Sequence, residues 1–199
     1  MVDFHNLGFP TWIGSVLEIA NKYNIDPYST IHSDFKFTCK QKVRKHFEDN
    51  WSIQIRDISS NPGLRHYSLI KMNFGLGAYL KHVVKFRYWH AITKLRTSSH
   101  NLEIETGRHQ SKSVQERLCP KCNIVGDEIH FVLQCTLNDH LRQKFIRKVE
   151  TKYLHFTYMT LLEQYRFLLT SEDPQLLTWL GKFLSRSFEE RSSNLSTSV

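Results

Sequence analysis

The chain has 199 residues, with 27 Lys and Arg against 19 Asp and Glu and a formal net charge of +8 before its 11 His are counted. Hydrophobic residues make up 40% and aromatic residues 13%, which is enough for a packed core and excludes a wholly disordered chain. Four Cys are too few for a disulfide scaffold, and no apolar run is long enough to span a membrane. The start, MVDFHNLGFPTWIG, lacks the pattern of a signal peptide, so we expect an intracellular protein, nuclear or cytoplasmic, with reduced thiols.

Helical periodicity dominates the first half and predicts a mainly α fold. Residues 102–107 alternate between apolar and polar side chains, which favours a short strand, and 108–115 are typical of a polar loop. We therefore expect at most a short β element near 102–118. The expected helices begin at Pro10-Thr11 and end near Ile25-Asp26-Pro27, and then cover about 36–58, 64–72 and 77–97.

The second half predicts three further helices. Thr136 can cap a helix over 137–149, a second covers about 154–169, and Ser171 with Pro174 starts the last one. The polar end is expected to be disordered. These patterns divide the chain into a helical basic region (1–115), a Cys/His segment with its following helix (116–150), a C-terminal helical hairpin (151–190) and a tail (191–199).

Most of the excess positive charge lies in residues 81–121. This segment has nine basic and three acidic residues, so it holds +6 of the net +8, and Tyr88 and Trp89 lie among its cations. Interleaved cations and aromatic rings favour a nucleic-acid partner, although a solvated helix face has the same composition. The candidate phosphate contacts are Lys85, Arg87, Lys94, Arg96, Arg108, Arg117 and Lys121.

A Cys/His pattern, C-x2-C-x7-H-x4-C, covers Cys119, Cys122, His130 and Cys135. Three thiolates and one imidazole within so short a segment form a ligand set that Zn2+ prefers in a tetrahedral site. His130 and Cys135 can bind the same ion only if the short helix that contains His130 ends before Cys135. The alternative is that these residues simply pack in the core, because Cys is often buried.

The other Cys and His residues are weaker candidates for ligands. We expect Cys39 to pack without a partner, and His109 and His140 lie outside the pattern. A zinc ion with four protein ligands leaves no thiolate free as a nucleophile, so the predicted site is structural.

The sequence around the Cys/His pattern resembles the C-terminal zinc-knuckle (CCHC) region of non-long-terminal-repeat retrotransposon reverse transcriptases over about residues 9–150. The resemblance implies that Cys119, Cys122, His130 and Cys135 bind the metal and that the region helps hold template RNA or target DNA. The matching blocks are Phe9-Pro-Thr-Trp-Ile13, Ala91-Ile-Thr-Lys-Leu-Arg96-Thr-Ser-Ser-His100, Leu102-Glu-Ile-Glu-Thr-Gly-Arg-His109, Glu116-Arg-Leu-Cys119-x2-Cys122 and Glu128-Ile-His130-Phe-x3-Cys135.

Catalytic patterns are absent from the sequence. The chain has no adjacent Asp pair of the kind the polymerase uses, and its acidic residues are too scattered for a two-metal nuclease. It also lacks a Gly-rich phosphate loop and a Ser nucleophile elbow. We therefore expect a protein without enzymatic activity and without a small-molecule substrate, although the parent polyprotein would be an RNA-directed DNA polymerase.

Three functions are open for this sequence, namely two binding functions and a cryptic nuclease that metal-dependent cleavage of plasmid DNA would reveal. The first is a non-catalytic, zinc-stabilised module that binds RNA or DNA and derives from the end of a retrotransposon reverse transcriptase. The second is a zinc-stabilised helical scaffold that binds a protein partner through the helices of 154–188. An exposed apolar patch on those helices would favour the second function.

Overall fold

The computed structural model describes residues 12–26, 34–83 and 85–196, with side chains described as far as Ser193. The helical content is 71% and no strand occurs in these ranges, so the prediction of a mainly α fold is confirmed. The chain divides into two compact units, residues 1–54 and 55–199. The segments expected at 116–150 and 151–190 thus fall within one compact unit.

The first unit contains α1, Trp12–Lys22, and most of α2, Phe35–Arg56. Helix α1 ends in a turn in which Asn24 has a φ of 51° and the N–H of Ile25 donates to the Ala20 carbonyl oxygen at 2.8 Å. Asn tolerates this left-handed conformation, and the turn closes the helix end. The predicted start at Pro10-Thr11 and Pro27 of the predicted stop lie outside the described residues.

The second unit contains short helices before the Cys/His segment. In place of one helix over 64–72 the structure has a 3-10 turn, Pro62–Leu64, and then α3, Tyr67–Ile70. The helix expected over 77–97 is two helices, because the backbone becomes extended at Val83. These are α4, Ala78–His82, and α5, Phe86–Arg96.

The prediction of a short strand over 102–107 is wrong, because the segment forms α6, Glu103–His109. The alternating pattern misled because it assumes that polar residues face solvent, whereas Glu105 is buried beside the apolar Ile104. A helix brings Glu105 and Arg108 onto one face, where they pair. Among the described residues the β structure is a single bridge between Leu118 and Val125.

The remaining helices are α7, Glu128–Leu133, α8, Asp139–Lys152, α9, Leu161–Thr170, and α10, Pro174–Ser196. Thr136 is not a helix cap but begins the 3-10 turn Thr136–Asn138. The helix expected from 154 begins instead at α9, where Thr160 and Glu163 form a capping box. Residues 154–158 form another 3-10 turn, and a fourth covers Val114–Glu116.

The tail expected over 191–199 is helical as far as Ser196, and residues 197–199 lie outside the described residues. The side chain of Arg191 is 1% exposed and pairs with the carboxylate of Glu103 on α6. This buried ion pair holds the end of α10 against the protein, which the polar composition of the tail does not reveal.

Helix α10 packs against α5 in the core of the second unit. A Cβ atom at Gly181 would lie 2.6 Å from the Cβ of Tyr88, so these two helices approach as closely as they do only because Gly has no side chain. Buried Leu residues of α9 and α10 complete this core. In the described part of the chain, no helix is both long and apolar enough to cross a membrane.

Candidate metal centre

The first two Cys residues of the pattern lie in a tight hairpin. The N–H of Cys119 donates to the Ile124 carbonyl oxygen at 2.8 Å, and the N–H of Asn123 donates to the Cys119 carbonyl oxygen at 2.9 Å. Asn123 adopts a left-handed conformation with a φ of 54°, which reverses the chain after Cys122. The reversal brings the thiols of Cys119 and Cys122 to the same side.

The other two residues are placed by α7. The carboxylate of Asp127 accepts from the N–H of His130 at 2.7 Å and caps the helix. The helix ends at Leu133, and the N–H of Cys135 then donates to the His130 carbonyl oxygen at 2.7 Å. The helix therefore ends before Cys135, as one shared ion requires.

The four side chains converge on one point. One ligand atom from each of Cys119, Cys122, His130 and Cys135 lies within 4.8 Å of the others, and all three Cys are free thiols. The sulfurs of Cys119 and Cys135 are 3.8 Å apart. Tetrahedral zinc with 2.3 Å bonds to sulfur separates its sulfurs by about 3.8 Å. The cluster is thus close enough to bind a single metal ion.

The imidazole of His130 fits the role of a ligand. Both of its ring nitrogens are buried and have no hydrogen-bond partner among the described residues. Burial disfavours the charged ring and lowers the pKa of His130, so the ring is neutral and can use a lone pair to bind a metal. A buried polar ring without partners is costly, and a metal ion at the cluster would remove that cost.

The thiols of the cluster differ in how the protein surrounds them. Burial raises the pKa of Cys135 to about 12. Burial also acts to raise the pKa of Cys122, but hydrogen bonds from the hydroxyl and N–H of Thr136 outweigh it and lower that pKa. The Thr136 N–H is 3.4 Å from the Cys122 sulfur. A divalent cation would deprotonate both, since thiolate is the form that binds metals.

A second buried polar cluster lies on the other side of α7, around the carboxylate of Glu128. Arg65 donates to it at 2.6 Å, Ser98 at 2.7 Å, and the His100 ring nitrogen lies 3.0 Å away. The ring of His66 lies at 3.4 Å. Although burial favours the protonated form, these partners hold the pKa of Glu128 well below its usual range.

Arg65 extends this cluster to α6. It pairs with Glu105 as well as Glu128, and Arg108 donates to the other oxygen of Glu105 at 2.7 Å. The pKa of Glu105 is lowered, because bonds from both guanidinium groups outweigh the effect of burial. We refer to Arg65, Ser98, His100, Glu105 and Glu128 as the carboxylate cluster. The sequence pattern did not reveal it, although Ser98, His100, Glu105 and Glu128 lie in the blocks that carry the resemblance.

The predicted phosphate contacts separate into exposed and engaged side chains. Lys85, Arg87 and Lys121 are exposed, and Lys94 is half-buried. Arg96 is only 5% exposed and donates to the carbonyl oxygen of Ile70 at 3.2 Å and to that of Leu169. The prediction that Arg96 contacts phosphate is therefore wrong, because its guanidinium group is buried in the core and donates to backbone carbonyl oxygens there.

Two further members of that set also make internal contacts. Arg108 pairs with Glu105, as described above. Arg117 donates to the carbonyl oxygens of Lys112 at 2.7 Å and Ile104 at 3.1 Å. The nearby Gly107 leaves room for Arg117, since a Cβ there would lie 2.5 Å from its Cγ. Arg117 fastens the loop after α6, whereas Arg108 pairs within α6. The free charge of 81–121 is therefore smaller than the sequence suggests.

No protein-family model, curated protein or solved structure matches this chain. The resemblance to the end of a retrotransposon reverse transcriptase thus rests on the motif residues and stays a prediction. What the structure itself provides is a Cys3His cluster that can bind a metal ion, supported on its other side by a buried carboxylate cluster.

Proposed function

We propose that the protein is a non-catalytic, zinc-stabilised module that binds nucleic acid and derives from the C-terminal end of a retrotransposon reverse transcriptase. The observation that carries this proposal is the Cys3His cluster in a chain with a net charge of +8. Zn2+ is the proposed metal because three sulfurs and one imidazole suit it in a reducing compartment, which would be the nucleus or the cytoplasm.

The metal would have a structural role in this proposal. Cys119, Cys122, His130 and Cys135 would hold it as four protein ligands, which leaves no open position for a substrate. When bound, zinc neutralises thiolates and ties the hairpin to α7. Cys119 and Cys135 are each 1% exposed, which suits a site that serves folding rather than chemistry.

Binding of nucleic acid is proposed from the positive charge. A protein that neutralises phosphates releases their counterions, so its affinity falls as salt rises. The direct experiment is a fluorescence anisotropy titration of labelled single-stranded RNA and DNA with the full, zinc-loaded chain. We expect binding at about 50 mM salt and a linear fall of log affinity with log salt. Absence of binding at that salt for both oligonucleotides contradicts the proposal.

A second candidate, a scaffold for a protein partner, is favoured by an exposed apolar patch. Leu154 is 78% and Tyr158 90% exposed, and Leu161 and Leu162 on α9 are also exposed. Exposed apolar groups in one segment are typical of protein interfaces. If this candidate is right, the chain self-associates or binds a protein in sedimentation experiments, and Leu154→Ser with Tyr158→Ser abolishes the association. A monomer that binds only nucleic acid contradicts it.

A further inference from the structure

Helices α8 and α10 leave between them a groove with a volume of about 450 Å³, which we call the α8–α10 groove. Its floor is apolar, and there the rings of Phe145 and Phe183 stack with their centroids 4.9 Å apart. None of the described residues that line it is acidic. Its basic lining residues are Lys144, Arg147, Lys148, Lys182 and Arg186.

The basic side chains form two rows that face each other. On α8, Lys144, Arg147 and Lys148 are three and four residues apart, and on α10, Lys182 and Arg186 are four apart. Residues at these spacings share one face of a helix. The groove therefore has a cationic wall on each side of an apolar floor.

The charge of these walls is free to act on a ligand. Lys144, Arg147, Lys182 and Arg186 form no ion pair with any residue in the described part of the chain. Two cations of 81–121 differ, since Arg108 is paired and Arg96 is buried. Unpaired like charges repel one another, and a bound anion would relieve that repulsion.

Trp179 lies where the groove meets a second, more open cavity. Its side chain lines both cavities, and the other cavity is also bordered by Lys152 and Gln175. The ammonium groups of Lys148 and Lys152 each lie 5.8 Å from the centre of its ring. A partly exposed indole among cations is the arrangement that proteins use to stack bases while they hold phosphates.

The groove lies near the exposed cations at the start of α5. Gly181 packs against Tyr88. The ammonium nitrogen of Lys85 and the guanidinium carbon of Arg87 lie 5.6 and 5.0 Å from the centre of the same Tyr88 ring. Lys182 follows Gly181 directly and is exposed. Two exposed cations of residues 81–121, Lys85 and Arg87, therefore lie near the α10 wall of the groove.

We propose that the α8–α10 groove binds a single-stranded nucleic acid. Its unpaired cations contact phosphates and Trp179 stacks against a base. This inference rests on the proposed function and moves its main contact surface from 81–121 to α8 and α10. A single strand fits better than a duplex, because a duplex keeps its bases stacked inside and presents mainly phosphates to an aromatic ring.

The test compares two double charge reversals in the full, zinc-loaded chain. Lys182→Glu/Arg186→Glu changes one wall of the groove, and Lys36→Glu/Lys40→Glu makes the same change in net charge on α2, where both lysines are exposed. Anisotropy is measured with a labelled oligonucleotide of about ten nucleotides, in RNA and DNA arms. We expect the groove variant to bind at least about tenfold more weakly and its salt slope to fall by about 1 for each lost contact.

Two further measurements test the same inference independently. Lys144→Gln/Arg147→Gln removes charge from the opposite wall and should also weaken binding, so it can replace the first variant if that variant does not fold. An abasic oligonucleotide keeps the phosphates but lacks the bases. We expect it to bind the unaltered chain about tenfold or more weakly than the normal oligonucleotide, with that difference lost in Trp179→Ala.

The outcomes separate the inference from the proposed function. If the unaltered chain binds and the groove variants bind equally well, or if the α2 variant loses as much affinity, the groove inference is overturned while the proposed function stands. Tighter binding of polyglutamate of equal charge than of the oligonucleotide would overturn it in favour of an acidic protein. If the unaltered chain binds no oligonucleotide, both fall.

Discussion

Helix α7 carries two buried polar clusters that satisfy their side chains in different ways. On one side the ring nitrogens of His130 have no partner among the described residues, and three thiols lie within reach. On the other side, Glu128 is paired with Arg65 and accepts from Ser98. The carboxylate cluster contains its own cation, whereas the Cys3His cluster needs one from outside. Buried polar side chains thus point to a ligand when they converge on one point without partners among the described residues, not merely when they are buried.

The largest effect should come from removing the metal. Structural zinc contributes an apparent binding free energy of about 10–16 kcal/mol in small zinc-dependent folds, so Cys119→Ser or a strong chelator should lower the free energy of unfolding by several kcal/mol. Chemical denaturation, with limited proteolysis of residues 115–150, measures this loss. Cys39→Ser is the matched control because Cys39 lies outside the cluster. Equal protease sensitivity with and without chelator would contradict the metal centre.

The second largest loss in the free energy of unfolding is expected when the carboxylate cluster is broken. Arg65→Met leaves the buried carboxylates of Glu105 and Glu128 short of a cation, and breaking a buried ion pair from one side costs about 3–5 kcal/mol. The loss should occur without release of the metal, which metal analysis of the folded variant checks. Arg166→Met changes an exposed arginine in the same way and should cost about 0.5 kcal/mol or less. Similar losses in the two variants would show that the cluster adds nothing to stability.

Ser98→Ala should have a more modest effect. It removes one donor of Glu128 while Arg65 and the two histidine rings remain, so a loss of about 1–2 kcal/mol is expected. Thermal or denaturant unfolding measures it against Ser99→Ala, which alters an exposed neighbour. A neutral result for Ser98→Ala would mean that Glu128 gains nothing from this hydrogen bond.

The smallest effect is a change in acid sensitivity. The pKa of Glu105 is lower in the folded protein than its ordinary value, so the unfolded chain binds the proton more readily. Its contribution to stability is thus complete above the ordinary pKa of about 4.5 and is lost as the pH falls through the folded pKa. Glu105→Gln should reduce the slope of stability against pH below about pH 4.5. Parallel curves for the two proteins would contradict the direction of this shift.

The sequence predicts the Cys3His cluster well because the cluster is local. Its ligands lie between Cys119 and Cys135, and the only structural condition, that the helix ends before Cys135, follows from their spacing. The carboxylate cluster could not be found in this way, since Arg65 and Glu128 are 63 residues apart and no local pattern pairs them. The pairing of Glu105 with Arg65 and Arg108 likewise buries a residue that the alternating pattern places in solvent, which is why the pattern predicts a strand where α6 forms.

The distribution of free charge is equally hard to predict from local sequence. A count of cations in 81–121 does not reveal that Arg96 donates to backbone carbonyl oxygens inside the core. Nor can it tell that Lys144 and Lys182, on separate helices, line one groove. Helical periodicity gives the face of each helix, but the packing of α8 beside α10 decides which faces meet. Residues 81–121, predicted from the sequence, and the α8–α10 groove, inferred from the structure, are therefore two different proposals for the surface that binds an anion.

The most direct test of the account is the metal content of the chain purified without added metal. Elemental analysis should find one equivalent of zinc per chain, and Cys135→Ser should lose it while Cys39→Ser keeps it. Retention of zinc by Cys135→Ser, or a metal-free native protein that folds with its thiols reduced, would contradict the claim that these four side chains hold a structural ion.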